Sequence, residues 1–322
     1  MARDLATIVT REIDVSRSAV EPFDGFVFLC GGPFRDTAPP NPLLSLRHHA
    51  LRAAASKSNR IADRIVIVAE HATELLQTGD FGDLLEFESH LAALAACIVI
   101  FLESPGAIAE LGSFAVMEDV KSKVLVVCEQ LYAEPPTSFI QLGPIASLRK
   151  SDPFSVYTYP FHEPDPCGVR ISETLVNDCW ADVEQGIEDF AKRAVRGSPF
   201  DAKELPHQLI LTLELVTLFT ALRLSEIAAC LEAFGCKLSK VHLTRSLKML
   251  VKFNLLNVRH WGHEQFYVRD DTAKFMTLRR QPPDVRPFDR LRFISDRLGE
   301  YESSDVQKFR ALKSLRASKG VR

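Results

Sequence analysis

The sequence predicts an α/β protein whose first part is a doubly wound parallel sheet and whose last third is a separate helical and hairpin module. Three observations carry that prediction. Short β-branched apolar runs recur with helical stretches between them. A break in pattern falls near residue 200. The charge then changes sign: residues 1–200 hold 17 Lys+Arg against 28 Asp+Glu, whereas 201–322 hold 22 against 14, within a net charge of −3. At 322 residues and 46% hydrophobic content the chain can bury two cores.

The expected strands are "FVFLC" (26–30), "RIVIVA" (64–69), "CIVIFL" (97–102), "VLVVC" (124–128) and the weaker "SVYTY" (155–159). Uninterrupted apolar runs are buried on both faces, as in a parallel sheet covered by helices. The intervening segments predict helices near 43–57, 71–78, 83–96 and 106–119, with a long amphipathic helix over 170–195 closing the module. The Pro- and Gly-containing segment 129–154 is expected to be an ordered loop over the site. "RGSPFDAKELP" (196–206) reads as a linker, so the expected division is 1–200, 206–272 and 273–322.

Beyond the linker, Leu209, Leu213 and Val216 mark one helix. Ser225 is expected to open a second that Gly235 stops, and Ser239 opens a third. Two β-prone runs around "WGH" predict a hairpin, so the order is that of a winged helix-turn-helix. The third helix is expected to pack through Leu243, Leu247, Leu250 and Val251, which leaves Arg245, Lys248 and Lys252 together on another face. That basic face suits nucleic acid or a nucleoprotein partner, and a solvated face without a partner is the alternative. The stretch after 282 predicts a charged, mostly helical tail.

No apolar run is long enough for a membrane span, and charge interrupts the N-terminus before a signal-peptide core could form, so a cytoplasmic protein is expected. The seven cysteines include no CxxC pair, and Cys30, Cys97 and Cys128 lie in apolar runs. Buried thiols are expected, without disulfides or a metal site.

Ligands of an open α/β sheet bind beyond the carboxyl ends of its strands. "CGGP" (30–33) ends the first strand, and Gly31 and Gly32 would let a ligand approach the backbone beside Cys30. Glu70 ends the second strand and Glu103 the third. Ser104 can cap the next helix with Pro105 at its first position, leaving the N–H groups near Gly106 to face an anion. Glu110, just over a turn further on, tilts back toward the same crevice. Two converging carboxylates are the equipment of glycosidic cleavage. The bland alternative is that Glu103 caps a turn and Glu110 lies on a surface.

"FLCGG", "IVIFLESPGAIAELGSF" and "SFIQLGPIASLRK" together resemble the nucleoside deoxyribosyltransferase-like effector proteins of bacterial retrons, over about residues 25–270. The resemblance implies an N-glycosidase-type enzyme in which Glu110 matches the catalytic glutamate of "ELG" and Glu103 the glutamate of "ESPG". It implies work beside a retron reverse transcriptase and its RNA-linked DNA in antiviral defence, with toxicity through cleavage of a nucleotide such as NAD+, here a substrate and not a cofactor. Arg47 matches an arginine after the Gly-Gly turn that could hold a phosphate, or it is a surface arginine on the first helix. The Pro-rich stretch 33–42 departs from the pattern. Glu88 is a possible partner for ribose hydroxyls, and His48 and His49 are expected to be structural. The readings left open are a deoxynucleotide substrate and a winged-helix regulator that senses a nucleotide without cleaving it.

Overall fold

The structure is a computed structural model that describes residues 2–21, 26–35, 42–56, 65–68, 70, 84–118, 120–133, 135–166, 168–194, 197–269, 273–284 and 286–319. From the N-terminus, α1 (Ala2–Glu12) leads into β1 (Ile13–Val20), followed by β2 (Val27–Cys30), α2 (Leu46–Ala55), β3 (Val66–Ile67), α3 (Leu84–Leu94), β4 (Cys97–Leu102) and α4 (Pro105–Phe114). Next come β5 (Val124–Glu129), α5 (Gln130–Ala133), α6 (Ala146–Ser151), β6 (Val156–Tyr159), β7 (His162–Asp165), β8 (Gly168–Ile171) and α7 (Glu173–Ala194). The remainder is β9 (Ser198–Pro199), α8 (Leu205–Phe219), β10 (Ala221–Leu222), α9 (Leu224–Ala233), α10 (Lys240–Lys252), β11 (Asn257–Trp261), β12 (Glu264–Val268), β13 (Met276–Arg280), α11 (Arg290–Ser304) and α12 (Val306–Lys319).

The chain divides into two compact units, 24–78 with 82–196, and 1–23 with 79–81 and 197–322. The first holds a five-stranded sheet in the order β3-β2-β4-β5-β6, parallel throughout. Every residue of β2, β4 and β5 is buried, as the uninterrupted apolar runs require. Val27, Leu29, Val99, Phe101, Leu125 and Val127 pack on one side against Leu46 and Ala50 of α2 and Val176, Val183 and Ile187 of α7. Strand order runs outward in opposite directions from β2 and β4, so the crevice at the ends of these two strands is the topological switch point. The expected helix at 71–78 lies outside the described residues.

The expected loop over 129–154 is instead largely helical. Residues Gln130–Ala133 and Ala146–Ser151 are α-helical, and the latter follows a π turn over Gln141–Ile145. Pro144 sits inside that turn, where the widened backbone tolerates its missing N–H. Proline therefore misleads as a loop signal here.

In the other unit, β1 pairs antiparallel with β13 and with β9. The N-terminal 23 residues accordingly group with 197–322, whereas the expected division placed them with the parallel sheet in 1–200. Ser198–Pro199 is likewise a strand within the stretch read as a linker, held further by the Phe200 N–H to the Ser18 carbonyl at 3.0 Å. A second antiparallel sheet has the order β10-β12-β11, with the Trp261–Glu264 pair closing the hairpin. The second helix of this region is opened by Arg223 and not by Ser225: the Arg223 N–H donates to Glu226 Oε2 at 2.8 Å, which draws the start forward. Gly235 ends it at φ +83°, and Ser239 caps α10 by accepting from the His242 N–H at 3.2 Å. Leu243, Leu247 and Leu250 are buried, joined by Ser246 and Met249, while Val251 is half-buried.

The C-terminal helices are packed elements of this unit. Tyr301 of α11 and Ala311 and Leu312 of α12 form a core with Ala221, Phe266 and Val268 of the second sheet. A buried ion network fixes the contact. Lys308 Nζ lies 3.1 and 3.0 Å from the two oxygens of Glu226, both groups being almost fully buried. Arg223 reaches Glu264 at 2.6 Å and Asp305 at 2.8 Å. Among the described residues no helix is long and apolar enough to cross a membrane.

Candidate active site

The crevice at the switch point is built around Glu103. Its Oε1 accepts the N–H groups of Gly32 and Arg47, each at 3.0 Å, and its Oε2 accepts that of Leu46 at 2.8 Å. The carboxylate therefore joins the end of β4 to the turn after β2 and to the first turn of α2, whose orphan donors it satisfies. Burial raises the Glu103 pKa, and the three backbone donors pull it back down.

The Gly-Gly turn is required by crowding. A Cβ on Gly32 would lie 2.7 Å from the Ser45 Cβ and 3.0 Å from the Glu103 Cδ, and one on Gly31 would lie 3.0 Å from both the Arg47 and Phe101 Cβ atoms. The glycines make room for the protein's own side chains. Ser45 caps α2 by accepting from the His48 N–H at 2.9 Å and donates to the Pro33 carbonyl at 2.7 Å. On the other side, Ser104 Oγ accepts from the Ala107 N–H at 3.1 Å and donates to the Gly31 carbonyl at 3.0 Å. Pro105 occupies the first turn of α4, and Gly106 beside it is exposed.

Arg47 is 5% exposed and committed within the protein. Its Nε donates to the Gly32 carbonyl at 2.7 Å, and its two terminal nitrogens grip Glu70 at 3.2 and 2.7 Å. Its guanidinium also lies 4.9 Å from the centre of the Phe34 ring. Glu110 is half-buried. Burial raises its pKa, opposed by the Arg47 charge and by the neighbouring Cys30 thiol. Cys30 is fully buried, and burial followed by the Glu110 and Glu88 charges pushes its thiol well up, so it serves as a donor and not as a thiolate. Glu88, 4% exposed on α3, is pushed up to about 8 by burial and then by the charges of Glu110 and Glu70.

Cys30, Gly31, Gly32, Arg47, Glu70, Glu88, Glu103, Ser104 and Glu110 thus meet through contacts or mutual electrostatics, with Gly106 at the rim. The sequence reading missed Glu129 and His162. Glu129 ends β5 one strand over from Glu103, and its Oε2 lies 2.8 Å from His162 Nδ1. The strand run "VLVVCE" carries Glu129 openly, but its partner lies across a later connection that no local pattern reveals. Arg245, Lys248 and Lys252 lie on α10 of the other unit, half-buried, exposed and half-buried respectively.

Among the described residues, Glu70, Glu103 and Glu110 share this crevice with Arg47, while burial and neighbouring charge push Glu88 up to about 8. Such a crevice favours positive charge developing in a ligand over a bound anion. Fold and site together define a class: doubly wound α/β proteins with a carboxylate-lined crevice at the switch point of the sheet.

Within that class, the chain belongs to the STM3845 retron effector protein family, whose profile matches residues 44–258. Two Escherichia coli relatives are similar to part of it. A retron Ec86 protein, named as a candidate ribosyltransferase/DNA-binding protein, is 32% identical over 131 residues, 40% of this chain and 39% of the relative. The retron Ec73 protein of the same designation is 31% identical over 123 residues, 38% of this chain and 37% of the relative. The chain spans about two-fifths of the length of these relatives.

Proposed function

We propose that the protein cleaves the N-glycosidic bond of a nucleotide, with NAD+ as the first substrate to consider, and acts as the toxic arm of an antiviral retron. The observation that carries this reading is the half-buried Glu110 carboxylate beside Arg47 and the Cys30 thiol in a net-anionic crevice. As the bond to the base lengthens, positive charge grows at C1′, and Glu110 attacks that carbon or shields it. Nicotinamide leaves neutral from a cationic precursor and needs no proton. In this scheme Glu103 is a positioning residue, because its oxygens already take three backbone N–H groups. Arg47 balances Glu110 and Glu70, and phosphate falls to the exposed first turn of α4 at Gly106. The names of the relatives, which describe ribosyl transfer, support the same class of chemistry.

One observation favours a second substrate. Glu88, protonated at neutral pH, could donate to a departing purine or pyrimidine, as cleavage of a deoxynucleotide requires. Base release from NAD+ and from the four deoxynucleoside monophosphates, followed for wild type and Glu110→Gln, separates the two. Release by wild type with turnover lowered by several orders of magnitude in the variant is expected. Near-normal release by Glu110→Gln would sink the role given to this residue, and binding without release by wild type would leave a sensor.

For the other unit, we read the order α8, β10, α9, α10, β11, β12 as a winged helix-turn-helix closed by the two C-terminal helices. Arg245, Lys248 and Lys252 on α10 are its contacts to the RNA-linked DNA of a partner reverse transcriptase. Expression alone should arrest the host and co-expression of the retron partner should relieve the arrest, with cellular NAD+ and nicotinamide as the measured pools.

A further inference from the structure

Beyond the glutamates of the switch point, the sheet carries a second polar pair at its carboxyl edge. The parallel register of β4 and β5 pairs Leu102 with Cys128, so Glu103 and Glu129 each follow directly on the last paired residues of two neighbouring strands. Glu129 is 1% exposed. Its Oε2 accepts the Phe161 N–H at 3.0 Å and faces His162 Nδ1 at 2.8 Å. An oxygen that receives a backbone N–H is an acceptor, so the imidazole hydrogen belongs on Nδ1 and the basic lone pair on Nε2. The ring stacks obliquely on Phe161 at 5.0 Å and keeps 15% of its side chain exposed. It lies near enough to Glu103 that an imidazolium charge would act on that carboxylate.

Hydrolysis after Glu110 attack requires one base, and the glutamates are poorly placed to serve. With NAD+, whose base leaves without a proton, Glu88 keeps its own; both oxygens of Glu103 accept backbone N–H groups, and Glu70 is gripped by Arg47. We propose that His162, oriented by Glu129, is the general base that activates water in this crevice, a role that rests on the reading of Glu110 as nucleophile. In the first step the C1′–N bond breaks with its electron pair leaving on the base, and a C1′–O bond forms to Glu110. In the second, the water oxygen bonds to C1′ and the C1′–O bond to Glu110 breaks, returning its pair to the carboxylate. The water proton passes to His162 Nε2 and from there to solvent. Glu129 is a positioning residue that stabilises the imidazolium.

The test is made on the full chain with NAD+ and with the deoxynucleoside monophosphates as probes. His162→Gln should retain the first-turnover burst of base while steady turnover falls roughly 100-fold or more. Intact-protein mass should then show a glycosyl adduct on the chain, and sodium azide should restore turnover by attacking C1′ without needing a base. Glu129→Gln should lose roughly 10-fold or more and show the same adduct. Steady turnover of His162→Gln within threefold of wild type would overturn the dyad and leave the glycosidase reading standing. Loss of burst and turnover together, with no adduct and no azide rescue, would also overturn it. Absence of base release by wild type would overturn both.

Discussion

Replacing Glu103 by glutamine tests whether this residue organises the crevice. Oε1 of the carboxylate takes two backbone N–H groups and Oε2 takes one. A glutamine can place its amide oxygen at the first position, but its NH2 then meets the Leu46 N–H, donor against donor. One charge-assisted hydrogen bond is lost and the amide of a fully buried residue is orphaned, a cost of about 3 kcal/mol. Part is returned, because a neutral amide escapes the burial that raises the Glu103 pKa, and the net loss should be about 2 kcal/mol. For a unit of this size that lowers the melting temperature by roughly 4 to 8 °C. Calorimetry measures the shift. Hydrogen exchange on peptides covering 29–55 locates it, since the amides of Gly32, Leu46 and Arg47 should lose protection while the centre of β5 keeps its own. A melting temperature within a degree of wild type, with exchange at these amides unchanged, would refute the assignment.

Gly32→Ala should destabilise the same unit by about 1 to 3 kcal/mol, because its Cβ would lie 2.7 Å from the Ser45 Cβ; urea titration that finds no change would show that the turn can yield. Glu88 keeps its proton in the folded state up to about pH 8 but loses it near 4.5 once unfolded, so its contribution is full below pH 4.5 and is lost as pH rises through 8. Wild type should lose stability relative to Glu88→Gln between pH 5 and 9, by on the order of 5 kcal/mol at most, and a constant difference across that range would count against a protonated Glu88. Lys308→Met removes one of the two cations that hold the buried Glu226, leaving its contacts to Arg223, and should cost about 2 kcal/mol by chemical denaturation, part of it recovered by adding Glu226→Gln; a cost below about 0.5 kcal/mol would refute the network. Charge reversal at Arg245, Lys248 and Lys252 should weaken nucleic-acid binding and flatten its dependence on salt, and an unchanged slope across a salt series would favour a protein-contact role.

The parallel sheet was legible because burial on both faces writes itself locally as uninterrupted apolar runs. Glu103 and Glu110 were legible because strand end, cap and the opening two turns of the helix follow one another closely in sequence. Their different circumstances were not: that Glu103 is held by Gly32, Leu46 and Arg47 depends on where a loop more than fifty residues earlier returns to the sheet. The same limit hid His162. The first strand was missed for another reason. "IDVSRSAV" buries only four of its eight positions and carries charge, and its partner strand lies near residue 278. The packing of the C-terminal helices was also hidden, since Glu226, Asp305 and Lys308 look like solvated charges until the ion network is seen.

The pairing of β1 with β13 has a consequence for how the chain is made. Val20 must wait for Met276, and Ile13 for Arg280, while every residue of the parallel-sheet unit is translated in between. That unit is finished at residue 196, and the 80 residues from there to Met276 take roughly 4 to 16 s at ordinary rates of synthesis, longer than a compact α/β domain needs to fold. The glutamate crevice can therefore be complete on the ribosome while the unit that contains the basic helix is still missing its final strand and helices. Under the proposed function, a nascent chain would hold the proposed glycosidase crevice before the surface proposed for restraint, so the order of synthesis would itself be a reason for the proposed partner to be present beforehand.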